Sequence, residues 1–168
     1  MQEMVVYGVS FDMVGKQPIV LLKTAHANRF LPIWIGHPEA AAILARLQDT
    51  EPPRPMTHDL LSTAIGELGG DVVRISVVDM RDSTFYARIT MERNGGEFEL
   101  DARPSDAIAL ALRTRAPIFA ADAVIESSAI RMAEEGEGAP QAAEPEQLVE
   151  DFRRFLDDVR PEDFGADG

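Results

Sequence analysis

The chain of 168 residues contains no cysteine. That excludes a disulfide framework, a thiol nucleophile and cysteine-bound zinc, and it fits a cytoplasmic setting. Long apolar runs are also missing: none approaches the roughly 20 residues needed to cross a bilayer. Met1–Tyr7 lacks the basic start and apolar core of a leader peptide. A soluble protein with no membrane partner is expected. Basic residues are scarce, 16 Lys+Arg against 29 Asp+Glu for a net charge of −13. Residues 1–125 carry 12 against 16, a net of −4, whereas residues 126–168 carry 4 against 13, a net of −9. Nonspecific nucleic-acid affinity comes mainly from neutralising phosphates with Lys and Arg, so a nucleic-acid substrate would need metal ions or a local arginine cluster. The chain shows no GxGxxG opening a helix after a strand, no Walker loop, no HExxH and no GxSxG elbow. No organic cofactor is predicted.

What is present is an ordinary globular composition, 45% hydrophobic, in a chain long enough for one domain with a sizeable core. Residues 3–14, EMVVYGVSFDMV, and 18–25, PIVLLKTA, flank GKQ and predict a hairpin. RFLPIWIG supplies a third strand, with Trp34 assigned to the core. HPEAAAILARLQ and THDLLSTAIGELGG place apolar residues at helical spacing, the second with a Thr57 cap and a Gly-Gly stop, and predict two successive helices. DVVRISVVDM, TFYARITMER and EFELDA, separated by RDS and NGG, predict an antiparallel meander, in which Tyr86 reads as packing. DARPSDAIALALRTRAPIFA adds a helix apolar nearly all round, hence buried, and a short strand.

Strands, then two helices, then strands, then a helix do not alternate as βαβ units do. The expectation is an α+β fold: a mainly antiparallel sheet with two consecutive helices inserted, a further buried helix, and an appended C-terminal helix. Residues 1–130 form the domain. An acidic flexible linker occupies 131–146, and 147–168 opens with an amphipathic helix whose stripe of Leu148, Phe152, Phe155, Leu156 and Val159 suits docking on a partner.

Three helix starts echo one another. HPEAAAI has Pro38 before Glu39; RPMTHDLL has Arg54, Pro55, Thr57, His58 and Asp59; RPSDAIAL has Arg103, Pro104, Ser105 and Asp106. Capping explains each alone, since Pro suits the first helical position, Ser and Thr cap free amides, and a carboxylate favours the positive end of the dipole. The functional alternative is that the heads converge on one cleft able to hold phosphate. Carboxylates placed there should have lowered pKa values. Asp106 and Arg103, heading a buried helix, should be paired, because an unpaired buried charge is costly. His58 beside a cap reads as exposed and is disfavoured as a base. His37 takes the same reading, and His26 falls in a solvent-facing loop.

LPIWIGHPEAAAI, RPMTHDLL, FYARI and DARPSDAIALALRTRAPIF, in this order and spacing, closely resemble the bifunctional nuclease family. The resemblance covers about residues 3–125, with RPSDAIALALR its most specific mark, and DFRRFLDDVRPEDF is similar to the ending of actinobacterial members. It implies an α+β domain that self-associates, a dimer being favoured, and a nuclease activity on DNA and RNA attributed to plant relatives. The family offers no catalytic set to transfer, so the candidates rest on chemistry. Glu39, Asp59 and Asp106 would hold a divalent cation, Mg²⁺ or Mn²⁺, that activates water. Arg54, Arg103 and Ser105 would bind substrate phosphate, and His58, Asp59 and Asp106 would form the catalytic set, His58 moving a proton. The alternative is a non-catalytic binding or assembly module whose polar heads are caps and ion pairs.

Overall fold

Two meanders share one sheet through a strand of three residues. The computed structural model describes residues 1–50 and 52–131. The linker expected at 131–146, apart from Arg131, and the C-terminal helix expected over 147–168 lie outside the described residues. The first meander is β1 (Gln2–Asp12), β2 (Gln17–Thr24) and β3 (Arg29–Trp34); the second is β4 (Gly70–Arg81), β5 (Thr84–Arg93) and β6 (Gly96–Ala102). Between them in the chain come α1 (His37–Leu47) and α2 (Thr57–Glu67). After β6 follow α3 (Pro104–Thr114), β7 (Ile118–Ala120), α4 (Asp122–Ser128) and β8 (Ile130–Arg131). The eight strands run β6-β5-β4-β7-β1-β2-β3-β8 across the sheet. β7 pairs antiparallel with β1 and parallel with β4, and every other pairing is antiparallel. The α+β expectation therefore holds.

Local chemistry sets the turns. Asn94 and Gly95, between β5 and β6, take φ of 53° and 77°, the two positive values an Asn-Gly hairpin turn needs. Asp82 and Ser83 do the same between β4 and β5 at 47° and 61°. The first hairpin turns earlier than the sequence predicted. Asp12 Oδ1 accepts the Val14 amide at 3.0 Å, and this Asx turn ends the strand two residues before Val14.

α3 is the hub of the helical layer. Ala107, Ile108, Ala109, Leu110 and Ala111 are all buried, and the helix packs against α1, α2, β4 and β5. Its small side chains let three helices approach closely while Ile108 and Leu110 fill the core with Leu22, Leu31, Ile43, Ile75 and Ile125. No helix among the described residues is long and apolar enough to cross a membrane.

Candidate active site

The three helix starts meet. Pro38, Glu39 and Ala42 of α1, the N-cap Met56 with Thr57 and His58 of α2, and the N-cap Arg103 with Asp106 of α3 line one cavity of about 230 Å³. Arg103 ties its rim together. Its Nε donates to Asp106 Oδ2 at 2.7 Å, and its Nη2 donates to Asp106 Oδ1 at 3.1 Å and to Glu39 Oε1 at 2.8 Å. His58 Nε2 lies 3.1 Å from the same Asp106 Oδ1. Glu39, Arg103, Asp106 and His58 thus form one chain of contacts drawn from three helices. Gly36, before α1, leaves room for the Glu39 carboxylate, whose Oε2 a Cβ there would displace.

The electrostatics follow the geometry. Burial pushes the Asp106 carboxyl up, but hydrogen bonds and charge from Arg103 and His58 outweigh it and hold Asp106 below the ordinary carboxylate value. Arg103 is raised, first by its hydrogen bond to Asp106 and then by the Asp106 and Glu39 charges. The expected pairing of Arg103 with Asp106 is present. His58 is 9% exposed, contrary to its reading as a surface histidine. At the second residue of α2 it is covered where that helix start packs against α3.

Asp59 belongs to a different cluster. Its Oδ1 accepts Arg113 Nε at 2.6 Å and its Oδ2 accepts the Met56 amide at 2.9 Å. Burial pushes its carboxyl up, yet the Met56 amide and Arg113 hold it below the usual range. Asp59 is therefore the residue that caps α2. Thr57, expected as the cap, is the first helical residue, and the N-cap is Met56, without a side-chain cap bond. Arg113, the lone cation inside the apolar stretch of α3, escaped the sequence reading. Its Nη1 also donates to the Ala42 and Ala109 carbonyls at 3.2 and 2.9 Å, so it fastens α1, α2 and α3 together.

Of the remaining candidates, Ser105 is buried and lines a neighbouring cleft, while Arg54 is exposed and lines neither cavity. Trp34, expected in the core, is 52% exposed. It ends β3 on the outward face, and its Nε1 donates to Asp12 Oδ2 at 3.4 Å. Tyr86 is also partly exposed, with the Arg81 guanidinium 5.2 Å from its ring centroid.

Glu39, Asp59 and Asp106 do not fit a divalent cation as they stand. Asp59 faces Arg113, both oxygens of Asp106 face Arg103, and among the described residues no group of three His, Cys, Asp or Glu is placed to hold a metal ion. The arrangement sets one partly exposed guanidinium beside two carboxylates and an imidazole.

Comparison with known proteins agrees with the motif resemblance. The model of the bifunctional nuclease domain matches residues 20–133. An uncharacterized protein of Mycobacterium tuberculosis is 42% identical over 166 residues, covering 99% of both chains. Bifunctional nuclease 1 of Oryza sativa subsp. japonica is 29% identical over 110 residues, 64% of this chain and 33% of the rice protein. Bifunctional nuclease 1 of Arabidopsis thaliana is 24% identical over 153 residues, 89% of this chain and 46% of that protein. A match over more than half the chain, spanning the three helix starts that build the cavity, places this protein in the bifunctional nuclease family.

Proposed function

We propose that the chain hydrolyses phosphodiester bonds of single-stranded DNA or RNA at the cavity where α1, α2 and α3 begin. The observation that carries this reading is the shared carboxylate: Asp106 takes both His58 and Arg103 at the wall of one cavity. With Arg103 Nε and Nη2 occupied, Nη1 makes no hydrogen bond among the described residues, and the side chain is 66% exposed. That leaves a donor for a phosphate oxygen. His58 Nε2 is committed to Asp106, so Nδ1 is the nitrogen left to exchange a proton. Nδ1 takes the proton of a water as its oxygen attacks phosphorus. The P–O bond to the leaving nucleoside breaks and the departing alkoxide is protonated from solvent. Asp106 orients the imidazole through its contact with Nε2.

A cation held by Glu39, Asp59 and Asp106 is the competing version. It requires Asp106 and Glu39 to exchange Arg103 for the metal and Asp59 to leave Arg113. The protein, purified free of host nucleases, should cleave single-stranded oligonucleotides in the presence of chelator. His58→Ala should lower the rate by about 10²–10⁴, the usual worth of a positioned acid or base. Loss of cleavage in chelator with recovery in Mg²⁺ or Mn²⁺ would establish the metal version, and cleavage unchanged in both His58→Ala and Asp106→Asn would overturn the site.

A second reading, self-assembly, rests on a separate observation. Leu60, Leu61 and Leu68, on and just after α2, are exposed, as are Phe98 and Leu100 on the outer strand β6. Each set exposes several large apolar side chains, the kind of surface that contact sites use, and a homodimer covering one of them is the arrangement favoured. Light scattering at two concentrations checks this, and a monomer at both removes it.

A further inference from the structure

A second cleft, of about 380 Å³, lies beside the first, its lining including Gln17, Trp34, Ser83, Phe85, Arg103 and Ser105. Arg103 is the one lining residue the two spaces share. Their sizes differ in a useful way. Clefts that enclose small ligands measure roughly 300–1,000 Å³, so the first cavity falls below that range while the second lies within it and can take a nucleoside. The chemistry of the second fits as well. Trp34, the single tryptophan of the chain, stands half exposed at its wall with the indole N–H 3.4 Å from Asp12 Oδ2. Asp12 in turn accepts the Val14 amide. Gln17, Ser83, Thr84 and Ser105 add hydrogen-bonding groups beside the apolar Ile33, Ile35 and Phe85.

We propose that this cleft is a nucleoside subsite: one base of a single-stranded nucleic acid stacks on Trp34 while its attached phosphate rests on Arg103, at the mouth of the first cavity. Stacking on an aromatic side chain needs a base with a free face, which a duplex does not offer, and it tolerates any base because each has a π-face. The identity of the ligand rests on the cleavage reading above; the juxtaposition of Trp34 with Arg103 does not. Contact of this kind gives an acidic protein affinity for nucleic acid without a basic stripe, since stacking and one arginine replace many phosphate contacts.

Because Trp34 is the chain's single tryptophan, its emission reports on the subsite directly. Titration of the full chain with adenosine 5′-monophosphate should quench that emission saturably, inorganic phosphate alone should not, and Arg103→Ala should weaken the effect at least about tenfold, the size of a charge-assisted contact. Anisotropy of a labelled single-stranded oligonucleotide should show Trp34→Ala binding about 5- to 150-fold more weakly, which is what stacking of roughly 1–3 kcal/mol amounts to. Trp34→Phe should restore most of the loss, and a duplex should bind more weakly than either strand. Circular dichroism of both variants controls for folding. If oligonucleotides are cleaved but emission is unmoved and KM is unchanged in Trp34→Ala, the subsite is wrong and the cleavage reading stands. If Trp34 and Arg103 govern binding but nothing is cleaved, the subsite stands and the nuclease reading falls. Emission that changes on dilution without nucleotide, with a mass that drops in Trp34→Ala, would mean the tryptophan meets a second copy and would overturn the proposal.

Discussion

Arg113 and Asp59 show how single residues divide between holding the site and working in it. The Arg113 side chain is 3% exposed, yet it satisfies Asp59 and two carbonyls. Asp59 keeps 25% of its side chain exposed, so removing Arg113 costs about 1–3 kcal/mol, the loss of its charge-assisted hydrogen bonds. Arg113→Met should lower the urea midpoint by a matching amount, while the rate per folded molecule stays within severalfold of the parent. A large loss of rate at full occupancy of the folded state would instead put Asp59 in the chemistry. The pH dependence has a definite sign. Asp59 and Asp106 are both lowered on folding, so the stability they contribute is fully present above the ordinary carboxylate value of about 3.9 and is lost as pH falls through the lowered folded values. The stability gap between the parent and Asp59→Asn or Asp106→Asn should therefore be open near neutrality and close below about pH 4. A gap that stays constant down to pH 3 contradicts the pairing. These roles were partly legible in the sequence. A lone arginine in an apolar helix signals a buried pair, and Arg103 with Asp106 was read as one. Burial at His58 and exposure at Trp34 were not legible, because both depend on which element covers the residue and neither is set by its neighbours in the chain.

At the scale of elements, periodicity and punctuation carried the reading. Alternating β-formers around RDS and NGG gave β4, β5 and β6, and Ala and Leu at helical spacing gave α1, α2 and α3, because those patterns arise from the geometry of strand and helix. α4 and β8, with seven and two residues, are too short to show a period. The start of α2 went wrong in an instructive way. Thr57 looks like a cap by residue type, but the Met56 amide is taken by Asp59 from the third helical position. Thr57→Ala should therefore change stability by less than about 0.5 kcal/mol, against the ~1 kcal/mol typical of a lost Thr cap. Asp59→Ala should cost clearly more. Thermal melts of the two variants check the order, and a larger loss for Thr57→Ala would restore threonine as the cap. The candidate site was legible to the same degree. Three Pro-acid helix starts could be seen, but which of their carboxylates shared a cavity required the packing of α1 and α2 on α3.

For the whole molecule the decisive element is the smallest strand of the sheet's interior. β7 has three residues, yet it lies between β1 and β4 and is where the two meanders join. Ile118 is 6% exposed and stands opposite Met4 on one side and Ile75 on the other. A sequence shows PIFA as a short apolar run and cannot show that it is central, since strand order is fixed by long-range pairing across more than a hundred residues. The position of the site depends on it as well. α3 leads directly into β7, so anchoring β7 in the middle of the sheet brings the start of α3 against α1 and α2, which leave the first meander. Ile118→Ala should destabilise by about 2–5 kcal/mol, as a large-to-small change in a packed core does. Its more telling consequence concerns cooperativity. If β7 couples the meanders, amides of β2 and β5 should lose hydrogen-exchange protection together in this variant, while the outer strand β6, paired on one side and solvent-exposed, opens first in parent and variant alike. Protection lost in β5 with β2 unaffected would show instead that the meanders are separate folding units, and that the site between the helix starts does not depend on the strand that joins them.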